Sequence, residues 1–328
     1  MKKRLLGLVI LFFPLSGFSS AQTAEETLLD KAKQWVDQNL KCDQYDHDPN
    51  VKGFDFQNAP VGKCSEIGGK FFGHFDSDGS SGLVLEVNGG CWSGIHGTST
   101  CDEKYVYCGL SPRVGQPSIF AKNGGGSTFE MLKFPVGQDL VRVNDERPYT
   151  EAGSSSIYGL VNGVMKRVLT FDYIAVCHQC TGGFQTWLSP LPDRKIKITT
   201  LMIDGDAGYG SQNYYGRLDG RVLRRIYYPD PATGLYQTGG AETLPLVKCV
   251  MDNEEDINSR FEIDPRIFDN DARLEELLEY LKLPKTDPKW KKTHELLAVI
   301  AQKDLGDTYE AWKKWKDFRQ EDSQAGDD

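Results

Sequence analysis

Hydrophobic positions recur with three different rhythms along this chain. In residues 24–40, Leu28, Leu29, Ala32, Trp35, Val36 and Leu40 fall at helical spacing. Glu25, Glu26 and Asp30 stand near the start, where acids complement the helix dipole, so this stretch predicts an amphipathic helix. Asp, Asn, Gly and Pro then break the pattern as far as Gly69. From Lys70 to about Cys249 the runs shorten and alternate, predicting strands at Lys70–Asp76, Leu83–Val87, Tyr105–Cys108, Phe129–Phe134, Leu140–Val143 and Lys195–Ile203. Asn162-Gly163 and Asp219-Gly220 each lie between β-prone runs, and such pairs supply the positive φ of a two-residue hairpin turn.

Past Cys249 the helical period returns. Asn270 or Asp271 is placed to cap a helix bearing Leu274, Leu277, Leu278 and Leu281, which Pro284 stops. Asp287 with Pro288 starts a second helix bearing Leu296, Leu297 and Ile300, and Asp307 a third bearing Tyr309, Trp312, Trp315 and Phe318. The expected fold is therefore α+β. An antiparallel, β-rich, disulfide-bonded body carries an N-terminal helix and a C-terminal helical segment.

The first residues change the picture of where such a body matures. Lys2, Lys3 and Arg4 precede an apolar run, Leu5–Phe18, and small residues Ser19, Ser20 and Ala21 follow. This is the three-part pattern of a secretory signal, with cleavage expected after Ala21. The chain then divides into a signal peptide (1–21), a β-rich domain with its helix (22–250) and an acidic helical segment (251–328). No transmembrane segment is expected once the signal is removed. The expected location is periplasmic or secreted.

Charge narrows the class of partner. The 328 residues hold 38 Lys and Arg against 47 Asp and Glu, a net of -9. Such a balance argues against a nucleic-acid binder, which needs a basic face to neutralise phosphates. Residues 252–328 alone hold 21 acidic and 13 basic side chains.

Eight cysteines, Cys42, Cys64, Cys91, Cys101, Cys108, Cys177, Cys180 and Cys249, make an even count. In an exported chain that count reads as a disulfide framework. Proximity favours Cys42 with Cys64, one bridge within Cys91, Cys101 and Cys108, Cys177 with Cys180, and Cys249 with the one left over.

Candidate chemistry is sparse. Phe75-Asp76-Ser77-Asp78-Gly79 through Gly82-Leu83 resembles the F-D-x-D-G-x-x-D-L signature of FG-GAP and VCBS-type calcium loops. The resemblance implies a calcium site with Asp76 and Asp78 as ligands, since carboxylate oxygens replace the water of a hard cation. It departs at Gly82, where the family usually supplies another Asp. The alternative is an acidic turn between two strands. No other cofactor is expected.

Cys177-His178-Gln179-Cys180 has the spacing of thioredoxin-like oxidoreductases, but Thr181-Gly182-Gly183 is a poor helix start, and a structural bridge is the competing reading. Gly89-Gly90-Cys91-Trp92 resembles papain-like proteases, and Ser80–Val84 the nucleophile segment of NlpC/P60 peptidases. Both families place the nucleophile at a helix N-terminus, whereas these residues read as strand. No catalytic set emerges.

Tyr214, Tyr215, Arg217, Arg224 and Tyr227 form a Tyr/Arg-rich stretch, and both residue types carry binding energy well. These five are the expected ligand-binding residues. The leading expectation is a binding or accessory protein that recognises an envelope component or a secreted partner. A secreted hydrolase acting on polysaccharide or peptide, aided by calcium, and a thiol oxidoreductase using Cys177 and Cys180 are the alternatives.

Overall fold

The computed structural model describes residues 17–43, 61–64, 66–93, 99–123, 128–147, 152–176, 183–204, 219–252 and 265–324. Helix α1 (Gly17–Asn39) leads into a short antiparallel pair, β1 (Cys42–Asp43) with β2 (Val61–Gly62). The helix runs through the expected cleavage point after Ala21.

A four-stranded antiparallel sheet follows, built from β3 (Glu66–Gly73), β4 (Gly82–Ser93), β5 (Ser99–Gly109) and β6 (Ser118–Asn123) in sequence order. Eight further strands form a meander: β7 (Thr128–Leu132), β8 (Leu140–Arg147), β9 (Ala152–Val161), β10 (Val164–Val176), β11 (Gly183–Pro190), β12 (Ile196–Asp204), β13 (Asp219–Pro229) and β14 (Tyr236–Pro245). The chain ends in helices α2 (Leu246–Met251), α3 (Asp271–Tyr280), α4 (Pro288–Ala301) and α5 (Tyr309–Gln324). The α+β, β-rich class expected from the pattern is the class observed. Among the described residues, no helix is long and apolar enough to cross a membrane.

Two compact units share the chain. One comprises Met1–Asp145, Ser156–Leu169 and Ala232–Gly234; the other comprises Glu146–Ser155, Thr170–Pro231 and Leu235–Asp328. In the first unit, the sequence Leu83-Val-Leu-Glu-Val explains the packing. Leu83, Leu85 and Val87 point to one face and join Val106, Cys108 and the α1 stripe Leu28, Ala32, Val36 and Leu40. Val84 points to the other and joins Phe75, Tyr105 and Tyr107. A near-continuous apolar run is what a strand buried on both faces requires.

The second unit buries one face of its sheet beneath the C-terminal helices. Leu201, Val222 and Leu244 sit opposite one another along the β12, β13 and β14 ladders and share a core with Leu246, Met251, Leu274, Leu277, Leu297 and Trp312. The caps expected at two helices are present. Asn270 accepts from the Arg273 amide at 3.0 Å, and Asp287 from the Lys289 amide at 2.8 Å.

Two local expectations need correction. Asp219-Gly220 makes no hairpin turn, because both residues lie inside β13 and pair with Asp204 and Ile203 of β12. The Gly220 carbonyl accepts a 2.7 Å bond from the buried Arg273 guanidinium, and a Cβ at Gly220 would meet the Leu246 side chain at 2.7 Å. Asp307 does not cap α5. Thr308 takes that role, its hydroxyl accepting from the Ala311 amide at 3.4 Å, while Asp307 pairs with Lys285 at 2.8 Å.

The Asn162-Gly163 turn is as expected, with φ of 52° and 78° joining β9 to β10. Gly163 is doubly constrained, since a Cβ there would stand 2.2 Å from the Arg113 carbonyl oxygen. Gly79 has a similar φ of 74° but open space around it. Gly79→Ala should therefore cost only the left-handed penalty of about 1–2 kcal/mol. Gly163→Ala should cost clearly more, because the rigid backbone of Arg113 must also move. Urea unfolding midpoints of the two variants check the order; equal losses would contradict it.

Candidate functional site

The calcium-like loop is the connection between β3 and β4. Its backbone closes with a 3.2 Å bond from the Gly79 amide to the Asp76 carbonyl. Both expected calcium ligands are already engaged in holding the turn. Asp76 Oδ1 accepts from the Ser77 amide at 2.6 Å and from its hydroxyl at 3.3 Å. Asp78 Oδ1 accepts from the Ser80 amide at 2.8 Å, and Oδ2 from the Ser111 hydroxyl at 2.9 Å. Nearby, Asp139 Oδ2 accepts from the His74 amide at 2.8 Å, and the Asp139 amide returns a 2.7 Å bond to the His74 carbonyl. Short polar side chains thus staple the turn to the segments that follow β5 and β7.

Gly82 shows why the calcium pattern stays incomplete. A Cβ at that position would lie 2.8 Å from the Phe75 ring and 2.9 Å from the Tyr107 hydroxyl, so no acidic side chain fits there. The Phe75 and Tyr107 rings meet edge to face at 5.4 Å. Asp76 Oδ2 is buried and without a hydrogen-bond partner among the described residues. Among those residues, no group of three or more His, Cys, Asp and Glu side chains stands ready to hold a metal. These contacts support the acidic-turn reading of Asp76 and Asp78.

Electrostatics agree with a structural turn. Hydrogen bonds from Ser80, and then from Ser111, hold the Asp78 carboxyl below its ordinary value. Burial, aided by the Asp76 charge, pushes the Tyr107 phenol well up.

The Tyr/Arg stretch resolves differently. Tyr214, Tyr215 and Arg217 lie outside the described residues. Arg224 and Tyr227 lie in β13, three residues apart, and therefore on opposite faces of the sheet. Their expected joint binding surface is thus corrected by strand alternation. Arg224 shares the helix-covered face with Val222. It stands opposite Thr199 on β12 and Glu242 on β14, and its guanidinium lies 3.1 Å from the Glu242 carboxylate. Tyr227, half-buried, shares the other face with exposed Arg221 and Arg225.

Sequence reading passed over the neighbouring strand. β14 is the last strand in its sheet's order, and every residue from Gln237 to Thr243 is exposed on both faces. The Arg225–Tyr227 stretch meets a bulge in β14 around Gly239-Gly240, where Gly240 has a φ of 138°. The run Gln-Thr-Gly-Gly-Ala-Glu-Thr lacks apolar alternation, and that was the available signal.

The cysteines part company. Cys42 and Cys64 are bonded across the β1–β2 pair, with Cα atoms 4.9 Å apart, as expected. Cys108 and Cys249 are free thiols, which overturns their assignment as half-cystines. Each is enclosed in its own hydrophobic core, Cys108 with Leu83 and Val106, Cys249 with Leu246 and Met251. There each behaves as a small apolar residue. Burial pushes both thiols up, Cys249 to about 11. The ladder of β4 and β5 sets Cys91 opposite Cys101. Cys177 and Cys180 lie outside the described residues. Comparison with family models, with curated proteins and with solved structures finds no match to this chain.

A depressed carboxyl contributes stability that is present above its unfolded value and lost as pH falls through the folded one. The Asp78 contribution should therefore disappear below about pH 4, beneath the ordinary carboxylate range. Asp78→Asn should be less stable than the parent at neutral pH and should lose less further stability on acidification. Thermal midpoints between pH 7 and pH 2 are the check, and parallel profiles would contradict it.

Proposed function

We propose that this chain is an exported binding or accessory protein, which holds an extended, acidic segment of an envelope or secreted partner against the edge of β14. The observation that carries this reading is the open edge itself. An unpaired strand presents a row of amide and carbonyl groups, and an extended segment can join them as one more strand. Among the described residues, β14 pairs with β13 alone, and seven of its successive residues are exposed.

Charge selects the chemistry of the occupant. Arg221 and Arg225 are exposed on β13 and stand opposite Pro245 and Ala241 of β14. They form a basic locality on a chain whose net charge is -9. The added strand would lie two strand spacings from β13, about 9.6 Å away, a gap that long Arg and Glu side chains leaning over β14 span together. Such complementarity steers encounter and rejects basic competitors. The signal-like N-terminus and the Cys42–Cys64 bridge support export to an oxidising compartment.

Two labelled peptides of alternating sequence, one Glu/Val and one Lys/Val, provide the probes. Fluorescence anisotropy should show the acidic peptide binding and the basic one not. The double variant Arg221→Glu, Arg225→Glu should weaken the acidic peptide at least about tenfold, a change of about 1.4 kcal/mol. Failure of both peptides to bind, or binding indifferent to the charge reversal, would overturn the proposal.

A further inference from the structure

We infer that Cys91 and Cys101 form a second disulfide, joining β4 to β5 next to the closed end of their hairpin. Proximity in sequence leaves three choices among Cys91, Cys101 and Cys108. The ladder removes two of them. In the register, Cys91 stands directly opposite Cys101, two rungs inside the Ser93–Ser99 pair that closes the hairpin. Residues directly opposite in an antiparallel pair have Cα atoms about 4.5 or 5.5 Å apart. Both separations fall inside the range of about 4.4–6.8 Å that a disulfide spans.

Cys108 fails the same test. It lies on the same strand as Cys101, seven residues further on, which is about 24 Å of extended chain. Its opposite number in the ladder is Leu83, not a cysteine. It is also buried beside α1, in the cluster that holds Leu28 and Leu85. Neither Cys91 nor Cys101 can therefore reach it without unpairing the strands.

The register between Asn88 and Cys91 is shifted by a bulge. The Cys91–Ser93 stretch is thus a separate short ladder, attached to the long run Gly82–Asn88 through an interruption. A covalent tie at its first rung fixes the register on the far side of that interruption, where few rungs remain to do so. The chemistry is ordinary thiol–disulfide exchange. Both thiols give up their hydrogen, the two sulfurs bond, and a disulfide oxidant such as oxidised glutathione is reduced to two thiols.

The test is disulfide mapping of the full chain, purified under oxidising conditions or refolded with oxidised glutathione. Unreduced protein is denatured in alkylating reagent, digested and analysed by mass spectrometry. The expected result is one peptide pair linked through Cys91 and Cys101, with Cys108 and Cys249 alkylated. A second arm uses Cys91→Ser, in which Cys101 should become alkylated while the Cys42–Cys64 pair stays linked. Alkylation of both Cys91 and Cys101 in unreduced parent protein with an intact Cys42–Cys64 link would overturn the inference. So would recovery of either residue bonded to another cysteine.

Discussion

Double-sided burial of the β4–β5 pair is the constraint on which the first unit depends. Leu83, Leu85 and Val87 meet the α1 stripe, and Val84 meets a layer of aromatic rings. Burying one such side chain is worth about 1.5–3 kcal/mol. A one-residue slip would turn every side chain to the opposite face. It would bring Glu86 onto the α1 side and Leu83 and Leu85 among the rings. The pairing is therefore specified from both sides at once. The turn that precedes β4 inherits its position from this sheet, with Phe75 and Tyr107 leaving room only for glycine at position 82.

That geometry also fixes what holds the acidic loop in place. Among the described residues, three of the four carboxylate oxygens of Asp76 and Asp78 accept hydrogen bonds, and Asp76 Oδ2 has no such partner. Ser77, Ser80 and Ser111 donate to Asp76 and Asp78 at ordinary hydrogen-bond distances. Closing such a turn and holding a cation draw on the same residue types. Asp before Gly closes tight turns by binding nearby amides, whether or not a cation follows.

What the sequence made legible was local. The stripe Leu28, Ala32, Val36 and Leu40 sits on one helix, and the Asn162-Gly163 turn needs nothing beyond its own φ angles. Asn270 and Asp287 cap through amides two or three residues away. The misreadings were nonlocal. Asp219-Gly220 has the composition of a turn, yet its φ is set by pairing with Asp204 and Ile203. Asp307 has the composition of a cap, yet Lys285, 22 residues earlier, draws its carboxylate away. Arg224 and Tyr227 look like neighbours in the chain, but the twofold repeat of a strand separates them. The open edge of β14 escaped notice because an edge is defined by what does not lie beside it, and no single stretch of sequence records that.

The cysteines carry the same argument into covalent chemistry. Their even number suggested one fate for all, but location assigns different ones. Cys42 and Cys64 bracket a two-rung strand pair too short to hold itself, and a bridge there joins positions 22 residues apart in the chain. Cys108 and Cys249 lie where close packing already fixes the chain, and neither meets a sulfur partner. Burial also makes them poor nucleophiles. With Cys249 pushed up to about 11, only about one thiol in ten thousand is ionised at neutral pH. Arg224 pulls in the opposite direction, yet desolvation outweighs it. Inaccessibility thus keeps these two residues as thiols, whereas the Cys42–Cys64 link stands where the fold has few other contacts to spend.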